Sequence, residues 1–165
     1  MRVGVTGHSN LVPECVDVVR AAIRSALREA LDAEAAGGSS LVGVTCLAPG
    51  ADQLFARVVL ELGGRVEVVL PAIDYRDRLK PAKRAEYDEL LARAHVVSVL
   101  PNELSGRHAY VMANERMLAS VELLIAVWDG NPPDGRGGTA DVVETARASG
   151  VPVVVVWPEG ARRKG

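Results

Sequence analysis

The sequence predicts an α/β fold with a mostly parallel central sheet that helices cover on both faces. Short runs of β-branched residues alternate along the chain with Gly- or Pro-containing turns and helical stretches, as in a parallel sheet with crossover helices. Several of these runs are Val, Ile and Leu almost throughout, which is typical of strands buried on both faces. Six runs are predicted as strands: Arg2 to Thr6, Leu41 to Leu47, Val66 to Leu70, His95 to Leu100, Leu123 to Trp128 and Pro152 to Trp157.

Apolar residues that recur at three- and four-residue steps predict the helices between these strands. The first is a long amphipathic helix that begins behind Pro13 and stops at Gly37–Gly38. The charged segment from Tyr75 to Lys83 is expected to be a mobile connection. Later helices are predicted around Leu54 to Leu62, Tyr87 to Ala94 and Tyr110 to Val121, and from about Thr139 to Ser149.

Length and composition indicate one ordinary globular domain. The chain has 165 residues, of which 48% are hydrophobic and 24% charged, so it can bury a core without disulfides. We expect a single domain over 1–160 and a basic tail, 161–165, that is a frayed, solvated end. Cys15 and Cys46 lie in separate apolar segments and are expected to be reduced, buried thiols. No metal is expected, because no metal-ligand spacing is present. No cofactor is expected either.

Charge and hydropathy exclude two classes of partner at this stage. Nineteen Lys and Arg against 21 Asp and Glu give a net charge of −2, without the positive surplus that binding to a phosphate backbone needs. Long nucleic acids are therefore not expected as partners. The longest apolar stretches are far below the roughly 20 residues of a membrane helix, and no export signal is visible. A cytoplasmic location without membrane association is expected.

Candidate site residues follow from where ligands bind in open parallel sheets. They bind outside the carboxyl ends of the strands, where loops lead into helix N-termini with unpaired N–H groups and a positive dipole end. The loops after the first, second and fifth predicted strands are polar and contain glycine. These loops supply the candidate ligand-binding residues, which are Gly7, His8, Gly50, Asp52, Asp129, Gly130, Gly137, Gly138 and Thr139.

The segment GRGGTADVVE, from Gly135 to Glu144, is the most informative of these loops. Glycines permit close backbone approach, and Thr139 can cap the next helix while neighbouring N–H groups bind a phosphate. The alternative is an ordinary glycine-rich connection with a threonine cap. Asp141 follows in the first turn as the candidate catalytic residue, unless it only interacts favourably with the helix dipole. His8 lies at the expected switch point of the sheet, where a neutral imidazole can bind phosphate or a ribose hydroxyl.

Taken in order, six parts of the chain resemble the SLOG superfamily. They are GVTGH at Gly4 to His8, PGADQLFA at Pro49 to Ala56, VVLP at Val68 to Pro71, Tyr110 with Asn114, LIAVWDG at Leu124 to Gly130, and GGTADVV at Gly137 to Val143. This superfamily groups LOG-type cytokinin phosphoribohydrolases with Smf/DprA-type proteins and nucleotide-sensing domains. The resemblance implies a Rossmann-like three-layer α/β/α sandwich, a nucleotide-derived small molecule bound at the strand ends, and a homodimer or larger assembly.

Three functions remain open at this stage. The chain is expected to bind a nucleotide or nucleotide derivative as a sensor or carrier; the alternatives are a LOG-like N-glycosidase acting on nucleoside monophosphates and a protein-interaction module with a vestigial pocket. The LOG enzymes carry P-G-G-x-G-T-x-x-E, and alignment on Gly138 and Thr139 places Val142 where their catalytic glutamate stands. Asp141, one residue earlier, is the candidate substitute for that glutamate.

Overall fold

A computed structural model describes residues 1–34, 40–132 and 138–165 of the chain, and within them strands and helices alternate as predicted. A 3-10 turn at Pro13–Cys15 leads into the first helix. The strands are β1 (Arg2–Gly7), β2 (Val42–Thr45), β3 (Arg65–Leu70), β4 (Val96–Val99), β5 (Leu123–Val127) and β6 (Val153–Val156). The helices are α1 (Val16–Ala33), α2 (Ala51–Glu61), α3 (Tyr75–Arg78), α4 (Pro81–Ala92), α5 (Arg107–Ser120) and α6 (Thr139–Ala148).

The six strands form one sheet in the order β4-β3-β2-β1-β5-β6, and every neighbouring pair is parallel. The chain moves outward from β1 to β4 and then returns to the other side of β1 for β5. The strand order therefore reverses between β1 and β5, which is where open α/β sheets form a ligand crevice. Gly7 pairs with Val127 at the ends of these two strands, so the loops that follow them begin side by side.

Helices cover both faces of the sheet, which confirms the predicted three-layer Rossmann-like architecture. One core layer includes Ile23 of α1, Phe55 of α2 and Tyr87 of α4. The other includes Met117 of α5 and Ala146 of α6. This division follows from right-handed crossovers, since reversing the direction of strand addition puts the connecting helices on the opposite face. None of the helices in the described residues is both long and apolar enough to cross a membrane.

The segment after β3 and the end of the first helix depart from the sequence predictions. The expected mobile connection from Tyr75 to Lys83 contains α3, in which Tyr75 is buried, and the beginning of α4 at Pro81. Its charged residues face outward while Tyr75 packs against Tyr87, with 5.9 Å between ring centroids. The predicted end of the first helix at Gly37–Gly38 lies outside the described residues, and α1 ends at Ala33.

The tail, expected as a frayed and solvated end, is paired with the loop after β1. Leu11 and Arg163 form an antiparallel bridge. The Val12 N–H donates to the Arg162 carbonyl at 3.0 Å, and the Lys164 N–H donates to the Asn10 carbonyl at 2.8 Å. The basic composition suggested solvation, but backbone hydrogen bonding does not depend on side-chain charge, and these bonds hold the segment on the protein.

Candidate functional site

A cavity of about 650 Å³ lies at the carboxyl ends of the central strands. The loops after β1, β2 and β5 contribute to its wall together with α3, α5, the start of α6 and the C-terminal segment. Five of the predicted ligand-binding residues line it, namely Gly7, His8, Asp52, Gly138 and Thr139. Asp129 lies just behind the wall, and Gly130 follows it in a turn with a φ of 83°. Gly137 lies outside the described residues.

His8 and Asp129 connect the ends of β1 and β5. The Asp129 N–H donates to Nε2 of His8 at 3.2 Å, and one carboxylate oxygen of Asp129 lies 3.4 Å from the same nitrogen. A ring nitrogen that accepts a backbone N–H carries no proton, so this geometry fits a neutral imidazole. Trp157 meets the His8 ring in an edge-to-face arrangement, with 5.5 Å between ring centroids. The His8 ring is therefore fixed in orientation and is mostly buried.

Asp129 is held in its charged form. Burial alone would raise its pKa, but hydrogen bonds from the Asn131 N–H and from Arg163, with the nearby charge of Arg163, keep the pKa below its ordinary value. The Arg163 contact joins Nε to the carboxylate Oδ2 at 2.7 Å. Asp129 thus ties the C-terminal segment to the switch point of the sheet.

Arg163 is a cavity residue that the sequence reading missed. A signal for it exists, because all six strands are parallel and the chain leaves β6 at the same edge where β1, β2 and β5 end. Any segment following β6 therefore emerges beside the predicted site. The Arg162–Arg163–Lys164 run has no local signal beyond its charge, so its place at the site follows only from the direction of β6.

The loop after β2 places a buried carboxyl on the cavity wall. Asp52 is 8% exposed, and its Oδ2 accepts a hydrogen bond from the Ala48 N–H at 3.3 Å. Burial raises the pKa of Asp52 to about 7, although hydrogen bonds from Ala48, the Thr45 side chain and the Cys46 backbone act in the opposite direction. A carboxyl that titrates near neutral pH inside a cavity is a candidate functional group.

The loops after β1 and β2 approach each other closely at Gly50. Its φ is 86°, and a Cβ placed there would lie 2.7 Å from the carbonyl oxygen of His8 and 2.8 Å from Cα of Ser9. The Ala51 N–H donates to that same His8 carbonyl at 3.2 Å. Gly50 does not line the cavity itself. Its role in the structure is to let the His8 loop and the start of α2 meet.

One side of the cavity carries aromatic and amide side chains from α3 and α5. Tyr75 and Tyr110 meet edge-on, with 6.4 Å between ring centroids, and Asn114 lies one helical turn beyond Tyr110. Arg78 lines the same side and pairs with Asp74 through Nε at 3.0 Å. Sequence reasoning missed Tyr75 and Arg78 because it treated their segment as a mobile connection.

The start of α6 forms the side nearest β5. Gly138 is the N-cap residue with a φ of −82°, and Thr139 is the first helical residue, so the expected threonine cap is wrong by one position. Gly138 has no side chain and so makes no capping hydrogen bond of its own. The space around Gly138 is open, since an added Cβ would meet nothing within 4 Å. Gly138, Thr139 and Ala140 line the cavity, so the helix start, whose first N–H groups have no acceptor within the helix, borders it.

Asp141 is separated from the other candidate residues. It lines a second cavity of about 370 Å³ between α5 and α6, whose other lining residues include Arg107, Val111 and Glu144. Val142 borders both cavities but is only 5% exposed and packs in the core layer of α5 and α6. Helical geometry explains why Asp141 and Val142 differ. Successive residues of a helix point in directions about 100° apart, so Val142 reaches the main cavity and Asp141 does not.

Comparison with solved structures places this arrangement among Rossmann-like domains of a known kind. The chain is similar to DNA processing protein A (DprA) from Streptococcus pneumoniae, with a TM-score of 0.65 and 20% identity over 93% of this chain. It is similar to DprA from Helicobacter pylori, with a TM-score of 0.63 and 12% identity over 94%. It is also similar to TM1055, a structural-genomics target, with a TM-score of 0.58 and 19% identity over 92%.

These similarities show that the chain shares the Rossmann-like fold of these proteins. The chain covers 49% of the S. pneumoniae structure, 64% of the H. pylori structure and 71% of TM1055, so it corresponds to about half of the first protein. No protein-family model matches the sequence, and no curated protein matches it either. Identities of 20% and below show a shared architecture and leave the ligand open.

The comparisons overturn one expectation, the exclusion of long nucleic acids. The H. pylori structure is described as showing a single-stranded DNA binding mode, so this fold occurs in a protein that binds a long nucleic acid. The exclusion was wrong because it rested on a net charge of −2 for the whole chain. Binding depends on the local arrangement of cations, and single strands are also held by stacking on aromatic rings, to which net charge is insensitive.

Proposed function

We propose that this domain binds a nucleotide or nucleotide-derived small molecule in the main cavity, and that it acts as a sensor or carrier. The observation that carries the proposal is the composition of that cavity, which has a helix start at one side and aromatic rings at the other. A volume of about 650 Å³ is within the range of small-molecule and cofactor sites. A ligand with one anionic and one aromatic end fits such a cavity.

The anionic end fits beside β5. The first turn of α6 supplies backbone N–H groups and the positive end of its dipole, which together favour a phosphate. Gly138 leaves open space for the close approach of an oxygen atom to that backbone. Arg163 lines the same cavity and adds positive charge. These groups support phosphate as the anion.

The aromatic end fits on the side formed by α3 and α5. Tyr110 is 37% exposed and offers a ring for a planar base, while Tyr75 behind it is buried and keeps it in place. Asn114 supplies both a donor and an acceptor for hydrogen bonds to base edges. Stacking with one amide contact gives limited discrimination among bases, so the proposal extends to nucleotides as a class.

The position of the carboxyl groups favours binding over glycoside hydrolysis. Among the described residues, Asp52 is the one acidic side chain that lines the main cavity, while Asp141 lines the other cavity. The LOG-type mechanism needs a carboxylate beside the sugar, and Val142 stands where the resemblance places it. Asp52 is bound to the Ala48 N–H in a buried position, which suits a fixed contact better than a nucleophile.

The proposal is tested by a thermal-shift and calorimetry series with nucleoside monophosphates, dinucleotides and a short oligothymidylate. A ligand at 100 times its Kd adds about 2.7 kcal/mol to the free energy of unfolding, which is easily seen as a shift in Tm. Gly138→Val should lower the affinity at least tenfold, because the branched side chain enters the open space at the helix start while a φ of −82° accommodates it.

Gly106→Val is the matched control. Gly106 also precedes a helix and has open space around it, but it lines neither cavity. Its substitution should leave affinity unchanged. Equal affinity of Gly138→Val and wild type would contradict the phosphate position. Release of free base during incubation would support the N-glycosidase alternative, and binding of the oligothymidylate without any mononucleotide would replace the proposal by single-strand binding. Binding of none of these probes would favour the interaction module.

A further inference from the structure

We propose that the C-terminal segment is part of the ligand site and that Arg163 binds the phosphate group of the ligand. This inference rests on the proposed function and adds the residue that selects a charged ligand over an uncharged one. It gives a function to a segment that the sequence reading assigned to a solvated end.

The backbone around Arg163 is fixed on both sides. Its neighbours Arg162 and Lys164 hydrogen bond to the loop after β1, and the Asn10 side chain donates to the Lys164 carbonyl at 2.6 Å. The Cys15 thiol donates to the Arg162 carbonyl at 3.2 Å. A side chain carried by such a segment loses less conformational entropy on binding than one on a free end. The segment is therefore suited to present a ligand contact.

The Arg163–Asp129 pair exposes its positive member to the cavity. The Asp129 side chain is 11% exposed and does not line the cavity, whereas the Arg163 side chain is 27% exposed and does. The 2.7 Å contact from Nε orients the planar guanidinium, whose fork geometry matches a phosphate. The carboxylate thus positions the arginine, and a ligand that enters the cavity meets the cation.

Arg163 also has the right place relative to the other cationic lining residue. Arg78 lies on the α3 side, where its side chain is 59% exposed and paired with Asp74. Arg163 contacts Asp129, directly after β5, on the side from which the chain continues to α6. Arg163 and the residues of the α6 start, Gly138 and Thr139, line the same cavity, and the proposal assigns one phosphate group to both.

The experiment compares a nucleoside monophosphate with its nucleoside, with pyrophosphate as a third probe. Arg163→Met keeps the length of the apolar stem and removes the charge, so it should weaken nucleoside monophosphate binding about 10- to 100-fold. Binding of the nucleoside should change less than twofold. Arg163→Lys should recover part of the lost affinity, because it restores the charge without the fork.

Arg162→Met is the matched control, since Arg162 is the exposed neighbour and does not line the cavity. It should bind all three probes as the wild type does. Wild-type phosphate affinity in Arg163→Met would overturn the inference, and so would an equal loss for nucleoside and nucleotide, which would indicate a purely structural role. If the wild-type protein binds no nucleotide, the proposed function is refuted instead. In that case, weaker binding of pyrophosphate by Arg163→Met than by Arg162→Met would still support an anion site at Arg163.

Discussion

Replacing Asp52 with asparagine removes a titratable group whose pKa burial raises from 3.8 to about 7. Because of this raised pKa, the folded wild-type protein keeps the Asp52 proton at pH values at which the unfolded chain has already released it. Stability conferred by this proton is present in acid and is lost as the pH rises toward the folded-state pKa. Asparagine keeps an oxygen that can accept the Ala48 N–H but has no such proton.

The magnitude follows from the two pKa values. Between pH 5 and pH 8, the wild-type protein should lose about 2 to 3 kcal/mol of unfolding free energy through this group, at 1.36 kcal/mol for each unit of pKa difference. Contributions from all other titratable groups are shared by the Asp52→Asn variant and cancel in the difference. The stability of the variant relative to wild type should therefore rise by this amount across the range.

Urea unfolding at pH 5, 6, 7 and 8, followed by circular dichroism, measures this difference. The surface exposed on unfolding is nearly the same in both proteins, so their m-values should agree and the midpoints can be compared directly. A stability difference that stays constant within 0.5 kcal/mol, roughly the error of extrapolation, would refute the assignment of a raised pKa to Asp52. A difference that falls with pH would show that the carboxylate is stabilised in the folded protein.

Three further predictions follow from close packing and burial. Gly50→Ala should lower the free energy of unfolding by about 3 kcal/mol, because a positive φ and a close backbone contact act together. Gly63→Ala, with a φ of 79° and open space, should lower it by about 1 kcal/mol. Equal losses of Tm in the two variants would contradict this. Cys15 is buried, but Cys46, which was also expected to be buried, is half-buried and lines the main cavity. Desolvation and the Asp52 charge raise the pKa of Cys46, so a disulfide reagent at pH 8 should label neither thiol rapidly before unfolding; rapid labelling of Cys46 would contradict its raised pKa. Val142→Glu should lower the free energy of unfolding by roughly 3 kcal/mol or more, because it buries an unpaired charge, and it should not create a hydrolase. An unchanged Tm would contradict the packing of Val142 between α5 and α6.

The fold could be read from the sequence because its signals are local. Apolar runs such as Leu123 to Trp128 cannot be exposed in quantity, so they predict central strands wherever they occur. The observed β5 is buried over its whole length, in agreement. The edge strand β4 differs, because Val96 and Val99 are 42% and 50% exposed although their sequence is as apolar. A residue cannot signal by its type alone whether its strand is central or at an edge.

The candidate site could be read in part. His8, Asp52 and Gly138 were found because each follows a predicted strand, and the carboxyl ends of parallel strands meet at one edge. Asp141 was placed with them by sequence proximity to Gly138, yet the helix turns it toward another cavity. Which face of a helix meets a cavity depends on packing against a distant helix, here α5.

The sequence by itself determined the parallel sheet, its two helical layers and the loops that bear the polar residues, because hydrophobic periodicity and turn chemistry act over a few residues. Only the tertiary structure decided which residues these loops contact. It brought both Arg163 and His8 to Asp129, and it buried Asp52 deeply enough to raise its pKa. Contacts between residues 34 and 121 positions apart leave no local pattern, since they arise from the strand order and from desolvation in the assembled fold.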